Sequence, residues 1–192
     1  MDDETLKARL AFLRTAESLK NVLRSGRTSN GRRESTAEHS WRLCLMAIAF
    51  EDQLHGLDIL RLLKLCVVHD LAEAIGGDIP AVDQLAPISK HQQERHDLHL
   101  LTSELDAGLR KTIHALWEEY ESASTPEAQA AKALDKLETI LQHNQGANPP
   151  GFDYRFNLHY GIRYMAAHPL FSRIRRELDA DTCARIDVQD LA

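Results

Sequence analysis

The chain has 192 residues, a formal net charge of −6, 43% hydrophobic residues and 27% charged residues. That length suits one domain with a sizeable core, and the acidic balance argues against partners such as nucleic-acid polymers or anionic membranes. No apolar run approaches the roughly 20 residues of a membrane span, and the acidic start Met1-Asp2-Asp3-Glu4 lacks the features of a signal peptide, so a cytoplasmic protein is expected.

In chain order, Leu6, Leu10 and Leu13, then Leu19, Val22 and Leu23, keep helical spacing and predict a first helix over about 4–23. A basic, glycine-containing loop, Arg24 to Arg33, follows. Ser35-Thr36-Ala37-Glu38 has capping-box spacing and starts a second helix carrying His39 in its first turn and an apolar set from Trp41 to Phe50. Asp58 caps a third helix, Ile59 to Ile75, apolar enough to be buried on most sides and ended by Gly76-Gly77. Cys44 and Cys66 lie in these apolar runs and read as reduced core residues. An irregular segment over 78–87 leads to Ser89, a cap with Gln92 at the reciprocal position. Helices are expected over about 90–105 and 108–121. Ser124-Thr125-Pro126-Glu127 opens another that carries Asp135, and Asn148-Pro149-Pro150-Gly151 breaks the chain before shorter helices over 157–178. With no repeat and no shift in composition, the expected fold is all-α, one helical bundle spanning 1–192.

Chemistry concentrates at His69-Asp70-Leu71-Ala72-Glu73, with His39 upstream and Asp135 downstream. On a continuous helix Glu73 would share a face with His69 and Asp70, placing three ionisable groups on an otherwise apolar element. Burying such groups without partners costs several kcal/mol, and a metal ion satisfies them. Histidines and carboxylates without thiolates suit Mn²⁺, Co²⁺, Fe²⁺ or Zn²⁺ in a water-activating site rather than a closed structural one. Asp135 shows the same anomaly, interrupting an apolar run.

The ordered set extends further: Leu19-Lys20 with Arg24-Ser25-Gly26, Glu34 to Ser40, Val68 to Glu73, Gly77-Asp78-Ile79-Pro80, Leu116 to Glu121, and Leu134 to Glu138. In these motifs the chain resembles the HD-domain metal-dependent phosphohydrolases, and within them the small 5′-deoxynucleotidases. The resemblance runs over about residues 10–145. It implies an all-helical homodimer that uses one divalent metal ion to remove phosphate from 5′-deoxynucleoside monophosphates.

By the same resemblance, His39, His69, Asp70 and Asp135 hold the metal, Glu73 orients or deprotonates the attacking water, and Asp78 protonates the leaving 5′-oxygen. Either carboxylate is chemically able to do either task. The plainer alternatives are that Glu73 supports a ligating histidine and that Asp78 is a turn residue. Arg24 is the phosphate clamp, because a guanidinium offers paired donors to phosphate oxygens. Where many relatives carry an aromatic residue soon after this arginine, the chain has Arg27, which predicts a weaker preference for deoxyribose. The histidines at 91, 96, 99 and 114 lie where a second metal would draw ligands, but a single-metal site is expected; His91, His96 and His99 sit in a polar helix that reads as mostly solvated, although Glu94 on that helix could face the site. Trp41, Trp117 and Tyr120 read as core or interface residues. Competing readings are a phosphodiesterase or pyrophosphohydrolase, and a non-catalytic nucleotide-sensing module.

Overall fold

In a computed structural model, which describes residues 1–78 and 90–191, eight α-helices and one short hairpin are arranged around a central helix. Helix α1 (Asp3–Ala16) is capped by Asp2 and gives way to a 3₁₀ turn over Glu17–Lys20. The expected single helix over 4–23 therefore stops early, and at Leu23 the backbone becomes extended. Strands β1 (Leu23–Arg27) and β2 (Arg33–Ser35) pair antiparallel across the segment read from sequence as a loop. Neither strand contains a β-branched or aromatic residue, so nothing in its composition announces it.

Ser35 then caps α2 (Thr36–Ala49) with the reciprocal Glu38 contact in place. Asp58 caps α3 (Ile59–Val68), but this helix does not run on to Ile75. From Val68 the bonds shorten to an i+3 pattern: Leu71 N–H donates to Val68, Glu73 to Asp70 and Ala74 to Leu71. Only a one-turn helix α4 (Glu73–Gly76) follows, ended by Gly77 in the left-handed region (φ +78°). The break turns Asp70 and Glu73 out of simple helical register, a tightening of the kind that occurs where a helix is interrupted for function.

Helices α5 (Lys90–Leu101), α6 (Ala107–Ser122) and α7 (Pro126–Gln145) follow near their expected places, with Thr125 capping α7 and Pro126 in its first turn. The expected irregular segment from 79 onward and the Ser89 cap lie outside the described residues. Past Asn148, two 3₁₀ segments (Tyr154–Leu158 and Ile162–Ala167) lead into α8 (Pro169–Asp190). The short helices expected over 157–178 thus appear as 3₁₀ segments up to Ala167, and from Pro169 they give way to one 22-residue helix capped by His168.

Helix α7 is buried along most of its length and packs against α2, α3, α6 and α8. Its first half uses Ala128, Ala130, Ala131 and Ala133, whose small side chains let neighbouring helices approach closely. Leu134, Leu137 and Ile140 then meet Leu43, Leu62, Leu65 and Phe171 in the main core. Leu19, Val68, Leu98 and Trp117 centre a second cluster under α1 and α5. Trp117 and Tyr120 are buried as expected, whereas Trp41, Leu45 and Ile48 face outward from α2, and Leu60 and Val67 leave α3 less enclosed than its composition suggests. Among the described residues, no helix is long and apolar enough to cross a membrane.

Candidate functional site

His39 in the first turn of α2 and His69 at the end of α3 approach each other with ring centroids 5.4 Å apart. Each imidazole has its Nδ1 engaged: His39 with the fully buried Glu138 carboxylate, His69 with the Cys66 carbonyl at 2.8 Å. These contacts fix both rings and turn both Nε2 atoms inward, where they are buried and have no hydrogen-bond partner. Asp70 Oδ2 lies 2.9 Å from His69 Nε2 and 3.9 Å from His39 Nε2, and Asp135 Oδ1 lies 3.3 Å from His39 Nε2. Ligand atoms of His39, His69 and Asp70 all fall within 4.8 Å of one another.

Two inward-facing imidazole nitrogens with two carboxylates, each ring oriented from behind by an oxygen acceptor, make a donor set that fits a divalent ion once both nitrogens are free of protons. The charges agree. Against burial and the Arg24 cation, the Glu138 and Asp135 carboxylates raise the His39 pKa to about 10, so the pocket favours positive charge. A bound metal would supply that charge to a neutral ring.

The cluster opens into a cavity of about 820 Å³. Glu73 and Asp78 both line it, as do Arg24, Lys90 and Glu94. Glu73 is buried and accepts a hydrogen bond from Thr36 Oγ1 at 2.9 Å, so its recorded partner is a hydroxyl and not a ligating histidine. Burial, then the charges of Asp70 and Asp78, push its carboxyl up to about 9, and a cation in the cluster would act in the opposite direction. Arg24 projects from β1 between elements: Nη1 lies 3.4 Å from Asp70, Nη2 donates to Thr139 at 3.1 Å, and Nε lies 3.6 Å from Glu34. Despite its burial, Asp70, Asp135 and Asp78 keep it firmly charged. Arg27 bonds the Gly31 carbonyl at 2.6 Å and so serves the turn of the hairpin.

Several neighbours were not singled out from sequence. Tyr120 donates to Asp135 Oδ2 at 2.6 Å, and Lys136 Nζ reaches the same oxygen at 2.8 Å. The sequence places Tyr120 in the core or at an interface; its hydroxyl is the polar handle that a buried tyrosine has to satisfy. Glu138 carried the clearest missed signal, a carboxylate three residues beyond Asp135 inside an apolar helix. Of the histidines between 90 and 115, His91 borders the cavity and stacks on Trp117 with centroids 5.0 Å apart. His99 and His114 meet edge to face at 5.7 Å.

The architecture and the cluster together define a helical protein with a buried histidine–carboxylate centre under an open cavity. The chain belongs to the HD domain family, whose profile matches residues 16–175. It is 41% identical over 138 residues to the 5′-deoxynucleotidase HDDC2 of Danio rerio, covering 71% of this chain and 68% of that one. It is 35% identical over 182 residues to the protein of the same name from Bos taurus, covering 92% and 87%. Among solved structures, a predicted metal-dependent phosphohydrolase from Magnetospirillum magnetotacticum superposes with a TM-score of 0.83 at 26% identity, covering 95% of each chain.

Proposed function

We propose that this protein is a divalent-metal-dependent phosphomonoesterase acting on 5′-deoxynucleoside monophosphates. The observation that carries the reading is the pair of buried, inward-facing Nε2 atoms of His39 and His69, which make no hydrogen bond and lie against the Asp70 and Asp135 carboxylates, with an arginine at the cavity wall. The names of the HDDC2 relatives support the substrate class.

His39, His69, Asp70 and Asp135 would hold the metal. When bound, such an ion supplies Lewis acidity toward a phosphoryl oxygen and makes water acidic enough to attack near neutral pH. Arg24 binds the remaining phosphate oxygens through its fork of N–H donors, and its contacts to Asp70 and Thr139 hold it in place before substrate arrives. Glu73 takes the proton of the attacking water. Asp78 donates a proton to the 5′-oxygen as the phosphorus–oxygen bond breaks, releasing deoxynucleoside and inorganic phosphate. Lys136, held beside Asp135, adds positive charge near the departing phosphate.

The test is a phosphate-release screen of the purified protein, loaded in turn with Mn²⁺, Co²⁺, Fe²⁺ or Zn²⁺, over deoxy- and ribonucleoside monophosphates, cyclic nucleotides and triphosphates. Turnover of deoxynucleoside monophosphates above the rest is expected. Activity confined to diesters or triphosphates would replace this reading with a phosphodiesterase or pyrophosphohydrolase.

A further inference from the structure

Helix α7 carries Asp135, Thr139 and His143 four residues apart, so the three side chains share one face, and all three border the cavity. At about 1.5 Å of rise per residue, His143 lies about 12 Å along the helix axis from Asp135. With a phosphate at the Asp135 and Arg24 end, His143 stands where the far part of a nucleotide arrives.

A chain of amide contacts fixes the ring's protons. Asn144 Nδ2 donates to the Leu178 carbonyl at 2.9 Å, and its Oδ1 accepts from Asn157 Nδ2 at 3.3 Å. A backbone carbonyl can only accept, so Asn144 has one orientation, and Asn157 must then turn its own Oδ1 toward His143 Nδ1 at 2.8 Å. That oxygen also can only accept. Nδ1 therefore carries the proton, and Nε2 of the neutral ring is a bare lone pair. Burial, together with the nearby Arg24 charge, lowers the pKa of this histidine and keeps the ring neutral.

His143 is largely buried but borders the cavity. A Cβ at position 26 would lie 3.2 Å from His143 Cδ2 and 3.5 Å from Nε2, so glycine there keeps the strand from crowding the ring. Phe152 packs edge-on against His143 at 4.9 Å, while Phe156 and Tyr160, 4.8 Å apart, border the same cavity and offer flat apolar surface.

We infer that this end of the cavity is a nucleobase subsite, in which His143 Nε2 accepts a hydrogen bond from an exocyclic amino group and so selects amino-bearing bases over their oxo counterparts. The inference rests on the nucleotidase reading above and adds its base preference. An oxo group in the amino position would set two acceptors against each other, an unmade hydrogen bond whose cost corresponds to about ten- to a hundredfold.

Two substrate pairs in which an oxo group replaces the amino group, the adjacent ring nitrogen gaining a proton, test it: dCMP against dUMP, and dAMP against dIMP. In kcat/KM the metal-loaded protein should favour the amino member of each pair by about ten- to a hundredfold. His143→Gln, which offers a donor as well as an acceptor, should bring both ratios close to one. Ratios near one in the unaltered protein overturn the inference, as do ratios unchanged by His143→Gln. The ¹⁵N ring signals of the unaltered protein supply a readout that needs neither turnover nor the variant. Nδ1 should be the protonated nitrogen, and the Nε2 signal should move on addition of dCMP and not of dUMP. A proton on Nε2, or equal responses to both nucleotides, overturns the subsite. A selective dCMP response without phosphate release from any nucleotide would uphold the subsite and overturn the nucleotidase reading instead.

Discussion

Glu138, fully buried on α7 one turn beyond Asp135, accepts the Nδ1 proton of His39 and thereby aims the opposite nitrogen at Asp135 and Asp70. An acceptor behind a ligating histidine sets the tautomer and raises the ring's basicity, and its loss commonly costs 10- to 100-fold in metal affinity or activity. Glu138→Gln, nearly unchanged in shape, should therefore weaken metal binding by about one to two orders of magnitude. Titration with a chelating metal indicator measures this directly. Unchanged affinity would show that the ring is oriented by packing alone.

Asp70→Ala should abolish metal content and activity together while the helical circular dichroism persists. Asp70 sits in the break after α3 and is only partly enclosed, so removing its carboxylate opens no core cavity. Full metal occupancy in the variant would remove Asp70 from the ligand set.

Much of this was readable in the sequence because the relevant signals are local. The Ser35–Glu38 capping box, the Asp58 cap and the Thr125-Pro126 start each place a helix through contacts within four residues. The order His39, His69-Asp70, Asp135 pointed to residues that the fold does bring together at one end of the cavity. What escaped depends on tertiary contacts. The β1–β2 hairpin lacks strand-forming residues and is held through α7, where Gln142 Nε2 donates to the Arg27 carbonyl at 2.6 Å and Arg24 reaches Thr139. The interruption at His69–Ala72 carries no glycine or proline to announce it, and Leu71 and Ala72 favour helix locally. The length of α8 was hidden because its apolar positions, such as Phe171, Leu178 and Ile186, are spread thinly among charges.

Glu73→Gln keeps an oxygen for Thr36 while removing the ability to take a proton. The variant should retain metal and substrate binding and lose turnover by about 10²–10⁴, the usual contribution of a general acid or base. Single-turnover rates beside an equilibrium binding measurement separate the two. A rise in KM with normal kcat would make Glu73 a binding residue.

Arg24→Ala should weaken transition-state binding by about 1.5–3 kcal/mol, the worth of hydrogen bonds to a charged group, read from kcat/KM. Phosphate contacts do not distinguish bases, so the loss should be the same for dCMP and dUMP. The amino preference assigned to His143 should survive. A loss that differs between the two nucleotides would mean that Arg24 also positions the base.

The His143 ring gives the stability a pH dependence of definite sign. Burial first, then the Arg24 charge, lowers its pKa in the folded protein, while in the unfolded chain it titrates near the ordinary histidine value of about 6.5. Above that value the ring is neutral in both states and contributes no pH dependence. As the pH falls below about 6.5, the unfolded chain binds a proton that the folded protein refuses, so stability declines until the folded pKa is reached. The slope from this one group is at most about 1.4 kcal/mol per pH unit. Urea unfolding of the metal-free protein and of His143→Gln at several values between pH 7.5 and about 5.5 isolates this one group: as the pH falls the unaltered protein should lose stability relative to the variant by up to one proton's worth, because the raised Glu73 carboxyl, which acts in the opposite direction, is common to both. If the two proteins lose stability in parallel over that range, His143 is not held neutral, and the bare lone pair assigned to its Nε2 is lost with it.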